Sequence, residues 1–152
     1  MKQIRIKVNK IIERFLVLIL VGMVLNVIWQ VFTRFFTSSP SAFTNELARY
    51  LMIWLGILGA AYISGKQEHV AIDFFVTKLN NSLRRFIDRF VLLSILSFAF
   101  FVMIIGGINL VYITLKLEQY SPSLQIPLAL VYSIIPISGL LIIFYKVTQE
   151  KS

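Results

Sequence analysis

The charges of this chain stand in clusters, and the intervals between the clusters limit what it can fold into. Phe15–Thr33 holds 19 residues without a charge, Tyr50–Gly65 holds 16, Phe90–Leu115 holds 26 and Gln119–Tyr145 holds 27. A bilayer core about 30 Å thick needs about 20 mostly apolar residues at about 1.5 Å of rise each. Backbone polar groups find no water in hydrocarbon, so each interval is predicted to close its hydrogen bonds internally as a helix. The second interval reaches only about 24 Å. Its charged flank, Glu46 and Arg49, is therefore drawn to the bilayer edge. The expected architecture is all-α and integral to the membrane. It is a single membrane domain over 1–152 with four transmembrane helices at roughly 13–36, 46–65, 83–115 and 126–146.

Composition agrees with the bilayer and excludes other classes. Hydrophobic residues make up 58% and charged residues 14%, against about 25% charged in soluble domains. Cysteine is absent and there is one histidine. That excludes disulfides, thiolate metal sites, cysteine nucleophiles and paired-histidine haem ligation within the chain. No cofactor, metal site or enzymatic activity is expected. A net charge of +8 raises the question of nucleic acid. The basic residues instead lie at the ends of apolar runs, where membrane proteins place them, so no nucleic-acid partner is expected.

Lysine and arginine set the expected orientation. The N-terminus carries Lys2, Arg5, Lys7, Lys10 and Arg14. The connection between spans two and three carries Lys66, Lys78, Arg84, Arg85 and Arg89. The C-terminus carries Lys146 and Lys151, and the other two connections hold only Arg34, Arg49 and Lys116. The positive-inside rule places the basic segments, and both termini with them, in the cytoplasm. The first span follows a basic segment as a signal peptide would, but its apolar run is too long and no small-residue cleavage site follows. In the middle connection, Ile72, Phe75, Val76, Leu79, Leu83, Phe86, Ile87 and Phe90 recur at helical steps. That predicts an amphipathic helix on the bilayer surface, roughly 69–81, with membrane lipids as its partner. Asn80, Asn81 and Ser82 should interrupt it and cap the third span. Pro136 should bend the fourth span.

No carboxylate lies at mid-membrane, and no phosphate loop, metal cluster or nucleophile–base pair is visible. Asn26 and Asn109 read as interhelical hydrogen-bond formers. Trp29 and Trp54 read as space-filling or lipid-facing. Gly56, Ala60 and Ser64 repeat every four residues, with Gly59 beside them. Such a ridge lets helix backbones approach closely and marks a packing face. Glu46 and Arg49 are three apart and share a helix face. A bridge from Glu46 to Arg49 or to Arg34, on the same outer side, would lower the cost of charge at the bilayer edge. His69 and Asp73 lie four apart at the cytoplasmic end of span two, as interfacial or capping residues.

These residues resemble a known family. Glu46, Arg49 and Tyr50, then Trp54 to Ala61 (WLGILGAA), then His69, Val70 and Asp73 look like the small membrane subunit, DctQ, of tripartite ATP-independent periplasmic (TRAP) transporters. The WQVFTRFF ending of span one and the proline-marked LQIPLALVYSIIPISG, Leu124 to Gly139, are similar to that family too. Position 45 departs from it: Asn45 stands where many members carry a second acid. The resemblance implies a bacterial inner-membrane subunit of a sodium-driven organic-acid uptake system. Its partners would be a large elevator-type membrane subunit and a periplasmic substrate-binding protein. Gly56, Gly59, Ala60 and Ser64 would pack against helices, including the partner's. Arg34, Glu46 and Arg49 would stabilise the outer edge or contact the partner. A self-contained homo-oligomeric channel or exporter, or a membrane anchor for an enzyme complex, remains an alternative reading of the residues alone.

Overall fold

The computed structural model describes residues 2–37, 42–66 and 81–150. Its elements are α1 (Lys2–Thr37), α2 (Ala42–Gly65), α3 (Asn81–Ser97), a π-helical segment (Phe98–Gly106), α4 (Gly107–Lys116), α5 (Leu128–Tyr132) and α6 (Ile134–Glu150). Four stretches are long and apolar enough to cross a bilayer: Gln3–Phe36, Ala42–Gly65, Arg85–Lys116 and Leu128–Thr148. The predicted surface helix and two of the predicted interfacial residues, His69 and Asp73, lie outside the described residues.

The first three spans stay helical past their charge-free intervals, whereas the fourth begins at Leu128, well inside its own. The second span begins at Ala42, a full turn before Glu46. Its 24 residues rise about 36 Å, so the helix crosses although its charge-free stretch is short. The third span is one rod made of α3, the π segment and α4. Ser97 (φ −61°, ψ −47°) and Gly106 (φ −63°, ψ −41°) both keep right-handed helical dihedrals, so the wider middle does not break it. The fourth span is interrupted once, at Ser133 between α5 and α6. Pro136 has no N–H to offer the Tyr132 carbonyl and its ring clashes with that carbonyl, so α5 ends at Tyr132. The expected bend is thus a short break. The backbone recovers at once, because the Ser133 N–H donates to the Ala129 carbonyl (3.0 Å) and the Ser133 hydroxyl to the Leu130 carbonyl (2.7 Å).

Packing runs in the order span one, span two, span four, span three. The fourth span is the centre: a third of its most apolar window is buried (33%), against 11% in each of the others. One apolar cluster joins Ile12 of α1, Leu58 of α2, and Ile134 and Tyr145 of α6. A second joins Ala61 of α2, Ala99 of the π segment and Ile142 of α6. Glycines let the backbones close in. A Cβ at Gly65 would lie 2.8 Å from the Tyr145 ring, at Gly107 2.9 Å from Pro136, and at Gly139 2.9 Å from Met103 and 3.1 Å from the Ala99 carbonyl oxygen.

Candidate assembly site

Polar groups gather at the two ends of this bundle. At the end that carries Arg5, three helices are tied together. Arg5 donates to the Gly65 carbonyl. The Tyr145 hydroxyl donates to Asn9 Oδ1 at 2.7 Å, and that tyrosine is fully buried. The Lys66 ammonium lies 4.7 Å from the centre of the Tyr62 ring. These contacts put the start of α1, the end of α2 and the end of α6 side by side.

The opposite end is closed by α1, α2 and the turn after α4. Asn26 Nδ2 donates to the Thr44 carbonyl at 2.8 Å, and both residues are buried. Gln30 donates to Asn45 one turn further on. The turn closes itself first. Gln119 N–H bonds to the Thr114 carbonyl (3.1 Å) and Glu118 N–H to the Leu115 carbonyl (3.1 Å). This is a Schellman-type stop, with Glu118 rather than glycine at a left-handed φ of 46°. Tyr120 then bridges Pro127, and Gln125 turns the chain at a φ of 54°.

Glu46 holds that turn. Its carboxylate accepts from the Ser121 hydroxyl, from the Ser123 N–H (3.1 Å) and from the Leu124 N–H (3.3 Å). Ser121 is fully buried. The bridge expected from Glu46 to Arg34 or Arg49 is not what the described residues show. The carboxylate serves three donors of the turn, and both arginines are exposed. A carboxylate satisfied by two backbone N–H groups and a hydroxyl has little need of a cation at the bilayer edge.

The small-residue ridge faces out. Gly56 and Ala60 are exposed, and a Cβ at Gly56 or Gly59 would meet nothing within 4 Å. Gly59 and Ser64 are half-buried. The chain closes its own core with the next row round the helix, Leu58, Ala61 and Gly65. Of the two expected asparagines, Asn26 bonds across helices while Asn109 stands exposed. Trp54 does more than fill space. Its indole N–H donates to the Val131 carbonyl at 3.0 Å, beside the interruption of the fourth span. Trp54→Phe keeps an aromatic ring but removes the donor together with part of the indole's bulk. It is expected to lower unfolding stability in bicelles by about 1 kcal/mol, read by denaturant titration; an unchanged midpoint would refute a role for that bond.

Fold and faces together define a multi-span membrane protein whose apolar outer surface and open packing ridge suit it to a larger assembly. The family described as "Tripartite ATP-independent periplasmic transporters, DctQ component" matches residues 23–149. The chain belongs to this family, the small permease subunits of TRAP transporters. It is 29% identical over 145 residues to a "Putative TRAP transporter small permease protein" of Haemophilus influenzae, covering 93% of this chain and 86% of that one. It is 36% identical over 102 residues to the "C4-dicarboxylate TRAP transporter small permease protein DctQ" of Rhodobacter capsulatus, 66% of this chain and 44% of the relative. A 66-residue stretch is 36% identical to the "Sialic acid TRAP transporter permease protein SiaT" of Haemophilus influenzae, 43% of this chain but 11% of that much longer protein. The family and the four spans make this a multi-pass protein of the bacterial inner membrane. It is a transporter subunit, which is not an enzyme class, and such small subunits work with large permease subunits.

Proposed function

We propose that this chain is the scaffold subunit of a sodium-coupled, binding-protein-dependent TRAP transporter for an organic acid. It widens and steadies the large subunit that moves the substrate. The observation that carries this reading is the outward ridge of Gly56, Gly59 and Ala60, a close-packing face that its own chain leaves open. Lipid tails gain little from such a face, whereas another helix gains close backbone contact. The charge distribution supports a cytoplasmic placement of both termini, which sets the Glu46-held turn on the periplasmic side, within reach of a substrate-binding protein. The relatives are named for C4-dicarboxylates and sialic acid. Both are carboxylates, and a carboxylate is the substrate class proposed here.

The test is co-purification with a tagged large subunit, followed by solute uptake in reconstituted vesicles. Gly56→Leu combined with Ala60→Leu is expected to cut recovery of the complex and uptake about tenfold or more. The helicity and stability of the isolated chain should be unaffected, because neither residue touches its own core. Full recovery of the double variant in the complex would sink the ridge as the contact. Transport by this chain alone would sink the scaffold reading.

A further inference from the structure

One face of α1 carries an ordered sequence of charge and grease that the transporter reading leaves unused. Lys7, Lys10, Arg14, Leu18, Val21 and Leu25 are all exposed, with Leu18 67% accessible. At 3.6 residues per turn they fall within a sector of about 80°. Three cations come first and three aliphatic side chains follow. Beside them an open groove of about 610 Å³ is lined by Lys10, Glu13, Arg14, Val17 and Leu18. Lys10 and Arg14 are one turn apart, so both can reach a single phosphate. None of the three cations has an ion-pair or hydrogen-bond partner among the described residues. The one acid in the groove, Glu13, accepts from the Tyr62 hydroxyl of α2 at 3.4 Å. With one carboxylate against three cations, the face keeps a net positive charge.

We propose that this face seats an anionic phospholipid, its headgroup phosphate between Lys10 and Arg14 and an acyl chain along Leu18, Val21 and Leu25. The order of the stripe matches the order of the lipid. A soluble acid would use the cations and leave the aliphatic half idle. A lipid with a balancing ammonium would leave the net positive charge unanswered. The span from Leu18 to Leu25 rises about 10 Å, enough for the upper part of an acyl chain. The inference does not depend on the transporter reading.

The purified full chain in neutral detergent is titrated with phosphatidylglycerol, phosphatidylcholine or soluble glycerol phosphate, and bound lipid is counted by native mass spectrometry. Phosphatidylglycerol should bind about tenfold more tightly than phosphatidylcholine at low salt, and glycerol phosphate should not compete. Lys10→Gln with Arg14→Gln should remove most of that preference. Arg89→Gln with Lys116→Gln, which removes the same charge from exposed positions elsewhere, should keep it. Should the first pair fail to fold, Lys10→Arg with Arg14→Lys keeps the charge and should keep the preference. Equal binding of the two lipids, equal loss in the control pair, or competition by glycerol phosphate would overturn the proposal. So would loss of bound lipid whenever the large subunit is present, since the face would then belong to that partner.

Discussion

Gly139→Leu is expected to part the third and fourth spans. A Cβ at this position would already lie 2.9 Å from Met103 Cβ, 3.0 Å from Ile104 Cγ1 and 3.1 Å from the Ala99 carbonyl oxygen. The first two are the root and branch of packed side chains and the third is backbone, so nothing nearby can swing aside. Overpacking of this kind costs about 1–3 kcal/mol in well-packed interiors. Leucine, with three further carbons, should reach the upper end or beyond. Gly139→Ala should show the same sign with a smaller cost, and the grading itself is part of the result. Unfolding in bicelles measures both. Crosslinking between cysteines introduced at exposed positions of α4 and α5 reports whether the two spans still meet. If Gly139→Leu unfolds at the wild-type midpoint, the close approach of α6 to the π segment is wrong.

Glu46→Ala is expected to free the turn without loosening the core. The substitution takes the acceptor away from the Ser121 hydroxyl and from the Ser123 and Leu124 N–H groups together. Amide exchange at Ser123 should quicken by about tenfold or more, and at Leu124 by less, because its N–H also donates to Ser121 Oγ at 3.3 Å, while exchange in α6 holds. Uptake by the assembled transporter should fall if the turn contacts the binding protein. Glu46→Gln keeps one acceptor oxygen and should lie between the two. Arg34→Gln and Arg49→Gln should leave the turn as it is, because the carboxylate does not rest on either guanidinium. Unchanged exchange in Glu46→Ala would mean that the turn holds itself through its own backbone bonds.

Much of this architecture could be read from the chain because bilayer crossing is encoded locally. A run of uncharged residues of the right length states its own fate, and Phe90–Leu115 needed no neighbour to be recognised as a span. What escaped was coupling at a distance. Helical spacing and a shared outer side offer Glu46 a partner in Arg49, three residues on, or in Arg34. Its true donors lie 75 to 78 residues away in the turn. The small residues of α2 show the same limit. Two rows, Gly56–Ala60–Ser64 and Ala61–Gly65, are equally visible in the sequence. What packs there decides which one the chain uses for itself: Tyr145 against Gly65, and Ala99 and Ile142 around Ala61. The hydrogen bond of Trp54 was hidden because its acceptor is a backbone carbonyl, which no sequence pattern marks.

The central place of the fourth span bears on how the molecule is made. Chains emerge from the ribosome N-terminal end first, so the helix that buries most against the others is the last of the four to enter the bilayer. Spans one and two can pair as they enter, but spans two and three are inserted while the helix on which both pack has yet to arrive. Until α6 arrives, Leu58 and Ala61 of α2 and Ala99 of the third span face lipid or a chaperone. Assembly of the bundle therefore waits on the end of translation, and a late stop codon would cost the bundle more than the loss of the first turns of α1.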